Sequence, residues 1–224
     1  MPSEYPKPDT SGQAFRISTL LAEFRDRKAE RAFLLHNLAV TQSALRISLI
    51  FSAIFCVLLV AADVGAVGYT HDTVIAFLNR VLFAVVAVGL LYWVGRWPRS
   101  VVVQHFAATV VDVVGMAVLM GIAWRIPAEI PSIAMAFGFW VIAVYLFIPN
   151  RLACSAVVAI VGSVAFLIVF KLKAINGVNA AFNGLTIGLL LLTANCAGLL
   201  AAHRGQIHWR REFRVQMVLR ERSA

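Results

Sequence analysis

The closing stretch, Gly184 to Ala224, limits the fold more than any other part of the chain: GLTIGLLLLTANCAGLLAA runs straight into HRGQIHWRREFRVQMVLRERSA. At about 1.5 Å per residue the apolar part is long enough to cross a hydrocarbon layer roughly 30 Å thick. No glycine or proline falls between Gln206 and Ser223, so the same helix continues out of the apolar layer coated with arginine. Trp209, Phe213 and Met217 recur at i, i+4 spacing and mark one apolar stripe along it. A span that leaves the membrane as a one-sided helix is suited to pass something on, and the upstream chain reads as the bundle that feeds it.

Composition agrees with a chain that lies mostly in lipid. It is 61% hydrophobic and 14% charged, with a mean hydropathy of +0.83, against about 25% charged in soluble domains. The polar opening mixes acids with bases, unlike a cleavable leader, so the first apolar segment is expected to stay as a span. A formal charge of +9 invites a nucleic-acid reading, but the basic residues cluster at the ends of apolar runs, as membrane topology demands; no nucleic-acid partner is expected. Cys56, Cys154 and Cys196 sit inside apolar runs without CxxC or Cys/His ligand spacing, and read as small hydrophobes in lipid.

Four regions follow. Residues 1–14, with Pro2, Pro6 and Pro8, read as a disordered tail. Residues 15–44, around LAEFRDRKAERAF, read as an amphipathic juxtamembrane helix. Residues 45–203 hold six expected crossings at about 45–65, 75–94, 105–124, 132–148, 152–170 and 184–202, and residues 204–224 form the exit helix, the start of a coiled coil. The expected fold is an all-α integral membrane bundle. Of the 20 lysines and arginines, only Arg80, Arg125, Lys171 and Lys173 fall on the far side of such a topology. The positive-inside rule therefore places both termini in the cytoplasm.

Ionisable groups inside a bilayer are costly and find partners or line cavities. Asp63 and Arg80 carry opposite charges at similar depth near the outer ends of the first two spans, the geometry of a structural ion pair. Asp112, Thr193 and Asn195 lie at a comparable depth nearer the cytoplasmic side, with Trp140 beside them in level. Two readings stay open: interhelical hydrogen bonding that fixes packing, worth about 1 kcal/mol a contact, or the polar floor of a pocket for a small hydrophobic ligand. His105 and His203, at the cytoplasmic ends of the third and sixth spans, have the placement of a b-haem pair, but interfacial polar residues have it too, and no cofactor or metal is expected. The phosphate-binding, hydrolase and metalloprotease signatures are missing. Interrupted helices of the transporter kind are missing as well. Catalysis by this chain alone is not expected.

FRDRKAERAF (Phe24 to Phe33), Arg46, Asp63, Arg80, Asn195 and RREF (Arg210 to Phe213) together resemble a bacterial six-helix membrane domain found ahead of class III adenylate/guanylate cyclase domains, diguanylate-cyclase (GGDEF) domains and some sensor kinases. The resemblance runs from about Leu20 to the C-terminus. It implies a sensory or regulatory module of the bacterial inner membrane, working as a homodimer on a downstream or separate cyclase, GGDEF or kinase domain. In such a module Trp209, Arg210, Arg211, Phe213 and Met217 would transmit the signal, with the apolar stripe as the pairing seam. The sequence stops at Ala224, where the family's catalytic domain would follow. The alternative from another class is a passive anchor or small transport-related protein, whose terminal arginines hold anionic lipid at about 1 kcal/mol each.

Overall fold

The computed structural model describes residues 15–125, 130–175 and 184–223; the expected tail at 1–14 lies outside them. Seven helices occur among the described residues: α1 (Arg27–His36), α2 (Leu38–Val67), α3 (His71–Arg96), α4 (Val101–Arg125), α5 (Ile130–Leu146), α6 (Leu152–Ile175) and α7 (Gly184–Arg222). Among those residues the one extended pairing is an antiparallel bridge between Ile17 and Phe24. The chain is all-α.

Among the described residues five helices are long and apolar enough to cross a membrane: Leu38–Gly65, His71–Arg96, Val101–Arg125, Leu152–Lys173 and Gly184–Arg220. The expected crossing at 132–148 corresponds to α5, which has 17 residues and reaches about 25 Å at 1.5 Å per residue. By contrast α7 has 39 residues, about 58 Å on the same rise. It exceeds a hydrocarbon layer of about 30 Å by about five turns, and its arginine-rich half is the part too polar to lie in that layer.

The segment read as one helix over 15–44 is divided. Residues 15–26 form a turn, in which Ala22 takes a left-handed backbone (φ 55°) and Arg25 N donates to the Arg16 carbonyl. Asp26 starts α1 by accepting from Lys28 N at 3.0 Å, the usual role of an aspartate at a helix N-terminus. Asn37 ends α1 in a non-helical conformation, and α2 begins one residue later, well before the expected start of the first span at 45. At the far end Gly68 closes α2 with φ 75°, a conformation that favours glycine. Thr70 and Thr73 then open α3 with a reciprocal capping pair.

In the interior, α2 packs mainly on α3 and α5 on α7, while α4 touches α3, α5, α6 and α2. Small residues on α4 allow this. Ala107, Ala108 and Gly115 are buried, and the Trp140 indole of α5 lies so close over Gly115 that a Cβ there would overlap the ring. Phe83 of α3 meets the same indole edge-on at 5.7 Å between centroids. Gly198 of α7 receives the Tyr145 ring of α5 in the same manner. Close approach through small residues is the normal basis of helix association where lipid removes the hydrophobic driving force. Gly115→Val is therefore expected to lower the thermal midpoint of the detergent-purified protein by an amount corresponding to about 1–3 kcal/mol of overpacking. Adding Trp140→Leu should recover most of it.

Candidate functional site: a clasp at the basic end

The ends of α3 and α5, the starts of α2, α4 and α6, and the projecting part of α7 share one end of the bundle. Gln42 Nε2 of α2 donates to the Val94 carbonyl of α3, Ser48 of α2 donates to the Phe147 carbonyl after α5, and Gln206 Nε2 of α7 donates to the Asn150 carbonyl before α6. The N-terminal turn and α1 join α7 at this end.

Two matched pairs make the joint. On α1, Glu30 and Phe33 are three residues apart and share a face; on α7, Arg210 and Phe213 do the same. The Glu30 carboxylate accepts from Arg210 Nη2 at 2.6 Å and from Arg210 Nε at 3.1 Å, the bidentate geometry that makes arginine–carboxylate pairs strong. Glu30 Oε2 also accepts from Phe24 N at 2.8 Å, so the same carboxylate anchors the turn. The guanidinium sits 4.6 Å above the centre of the Phe33 ring, within cation–π range. Phe15, Phe24, Phe33 and Phe213 are each at most 5% exposed and pack as a separate small core, with Met217 against it. The Phe33 and Phe213 rings meet edge-on at 5.5 Å. His203 and the Thr19 carbonyl make one further contact between α7 and the turn, at 2.8 Å.

The stripe expected to pair two copies is thus mostly occupied within the chain. Phe213 is 3% exposed and Arg210 4%, because the turn and α1 cover them, whereas Trp209 remains about half exposed. Arg211 stays exposed.

A run of polar contacts leads from the clasp into the bundle. Arg210 Nη1 donates to Gln206 Oε1 at 3.4 Å, and Gln206 reaches the Asn150 carbonyl. Asn150 Nδ2 donates to Thr109 Oγ1 at 2.9 Å and to Asp112 Oδ2 at 3.2 Å. Asp112 is fully buried, with Oδ1 unpartnered. Five residues therefore connect the centre of α4 to α1 by way of α7.

Equal depth does not bring together Asp112, Asn195 and Thr193. Asn195 donates to Ser163 Oγ at 2.8 Å and faces the Tyr145 hydroxyl at 3.3 Å; Thr193 is exposed. The reason is lateral: the main neighbours of α7 are α5 and α6, while α4 lies chiefly against α3 and α6. Trp140 contacts Gly115 and Phe83 rather than this polar set, and its Nε1 is unpartnered. Asp63 and Arg80 meet at the opposite end, Arg80 Nε to Asp63 Oδ2 at 2.7 Å and Nη2 to Oδ1 at 3.0 Å. His105 is half-buried on α4, and His203 is engaged with the turn. Among the described residues no three His, Cys, Asp or Glu side chains gather as metal ligands.

Sequence reading singled out both ERAF and RREF but missed that they face each other. The available signal was their shared form, a charge three residues ahead of a phenylalanine, with opposite sign in the two. No family model, curated protein or solved structure matches the chain.

Proposed function

We propose that the chain is the membrane-embedded input module of a bacterial signalling protein. In this reading α2 to α7 cross the inner membrane, both termini are cytoplasmic, and α7 carries the state of the bundle to a cyclase, GGDEF or kinase domain. The observation that carries it is the clasp. A passive anchor has no need to bury an arginine of its exit helix in a bidentate pair with the opposite end of its own sequence, a burial that costs desolvation and returns mainly a fixed geometry. Supporting it are the arginine bias of the clasped end, the length of α7, and the polar connection from Asp112 to Glu30. The short α5 serves as the sixth crossing with a locally thinned bilayer, at a modest cost per ångström of mismatch. Pairing of two copies then uses the exposed Val215 and Leu219 of α7, four residues apart on the side away from Phe213, while the Phe213 side holds the clasp.

The test is a fusion of a class III cyclase domain after Ser223, assayed in membrane vesicles. Inserting one residue between His203 and Arg210 turns everything beyond it by about 100° and removes Arg210 from Glu30. A several-fold change in cyclase output is expected, and a cytoplasmic reporter at the same point is expected to be active. Output indifferent to the insertion, with the protein still in the membrane, would leave the anchor reading in place.

A further inference from the structure

The turn at residues 15–26 is a small hairpin with a direction. Ile17 and Phe24 pair across it, and Ser18 N donates to the Glu23 carbonyl at 2.7 Å, which leaves Thr19 to Ala22 as its tip. The base lies at Phe213, whose ring centre is 6.3 Å from that of Phe24. The tip lies at His203, whose Nε2 donates to the Thr19 carbonyl at 2.8 Å. Phe213 back to His203 is about 15 Å of helix, and Phe24 back to Thr19 is about 16 Å of extended chain. The hairpin therefore stands alongside α7 with its tip toward the apolar half of that helix. His203 is the first residue beyond the apolar run 184–202, so the tip sits at the level where α7 leaves the hydrocarbon. There it presents Leu20, 84% exposed, and Leu21, 46% exposed, next to a fully buried Ala22. Single exposed leucines are ordinary on a surface; the level of this adjacent pair is what sets it apart. Exposed Arg16 and Arg25 on the hairpin and Arg204 next to His203 are placed for phosphate headgroups.

We infer that the hairpin tip inserts Leu20 and Leu21 into the headgroup–acyl boundary of the leaflet from which α7 emerges. This rests on the membrane orientation proposed above. The partner is the bilayer rather than a second copy, because a second copy would bring its own arginines against Arg16, Arg25 and Arg204. Insertion holds the clasp from two sides, by α7 and by lipid, and opening the clasp has to draw two leucines out of the boundary.

The experiment uses the full chain in nanodiscs of phosphatidylcholine and phosphatidylglycerol, with the three free cysteines replaced by alanine. A nitroxide is attached at Leu20→Cys, at Lys28→Cys as the aqueous reference, or at Phe51→Cys, an exposed position of α2, as the lipid reference. Its collisions with oxygen, which concentrates in lipid, are compared with those with a water-soluble nickel chelate. The oxygen-to-nickel ratio at Leu20 is expected to exceed that at Lys28 several-fold and to approach that at Phe51. A ratio at Leu20 equal to that at Lys28, with Phe51 in lipid, overturns the insertion and leaves the membrane orientation standing. An immobilised label at Leu20 that neither collider reaches overturns it too, since protein then covers the tip. A Phe51 label in water overturns the orientation and the insertion together. A second measurement needs neither label nor cysteine replacement. Leu20→Ser removes a side chain with almost no protein contact to lose, and should speed amide exchange at Ser18 to Phe24 in nanodiscs by about fivefold. Unchanged exchange there overturns the proposal.

Discussion

Arg210→Ala frees residues 15–36 from α7 while leaving the spans folded. The substitution strands the Glu30 carboxylate, whose side chain is 12% exposed, and removes the cation from the Phe33 face. Losing one member of a buried bidentate pair costs about 3–5 kcal/mol. That cost falls on a small aromatic core of four phenylalanines, so local opening should follow without global unfolding. Amide exchange in 15–36 should accelerate by about a hundredfold or more, the equivalent of some 3 kcal/mol, with α4 unchanged. Limited trypsin digestion should cut first among Arg25, Arg27 and Lys28. Exchanging the charges, Glu30→Arg with Arg210→Glu, should recover part of the protection. If the single variant exchanges like the parent, the clasp does not hold the segment in solution.

The second large effect belongs to the opposite end. Asp63→Ala leaves the Arg80 guanidinium, 6% exposed in its side chain, without its carboxylate among apolar helices. An uncompensated charge in that setting costs about 3 kcal/mol or more. The thermal midpoint in detergent should drop by several degrees, and the α2–α3 hairpin should lose exchange protection first. The paired replacement Asp63→Leu with Arg80→Met should restore the midpoint, because two apolar side chains need no partner. A double variant as unstable as the single one would show that the arginine contributes by packing rather than through its charge. Comparison of the two ion pairs is informative in itself: one joins consecutive helices, the other residues 180 positions apart.

That separation marks the limit of what residue order reveals. Apolar runs of helical length identify α2, α3, α4, α6 and α7 because lipid leaves the backbone no other way to satisfy its hydrogen bonds. Asp63 and Arg80 are visible as opposite charges at like depth, since the short turn between α2 and α3 makes those helices neighbours. Depth says nothing about azimuth, which is why Asp112 turns to Asn150 in the α5–α6 turn rather than to Asn195 on α7. Periodicity likewise shows that Phe213 and Met217 share a face but not what covers it. The division at Asn37 and the left-handed Ala22 carry no glycine or proline to announce them. Continuous helix over 15–44 was the simpler pattern, and the Glu30 carboxylate holding Phe24 N is what stabilises the turn instead.

The single-residue hinge at Asn37 has a mechanical meaning once the clasp is in place. With α1 fastened to α7 and joined to α2 through one residue, the first and last long helices form a closed linkage, like two struts sharing a crossbar. Lateral spreading or differential tilt of those struts, as a thinner or stretched bilayer would impose, can be absorbed in few places: rotation about Asn37, or rupture of the Glu30–Arg210 contact. In such a linkage a change of slant that bending at Asn37 did not take up would load the Glu30–Arg210 contact.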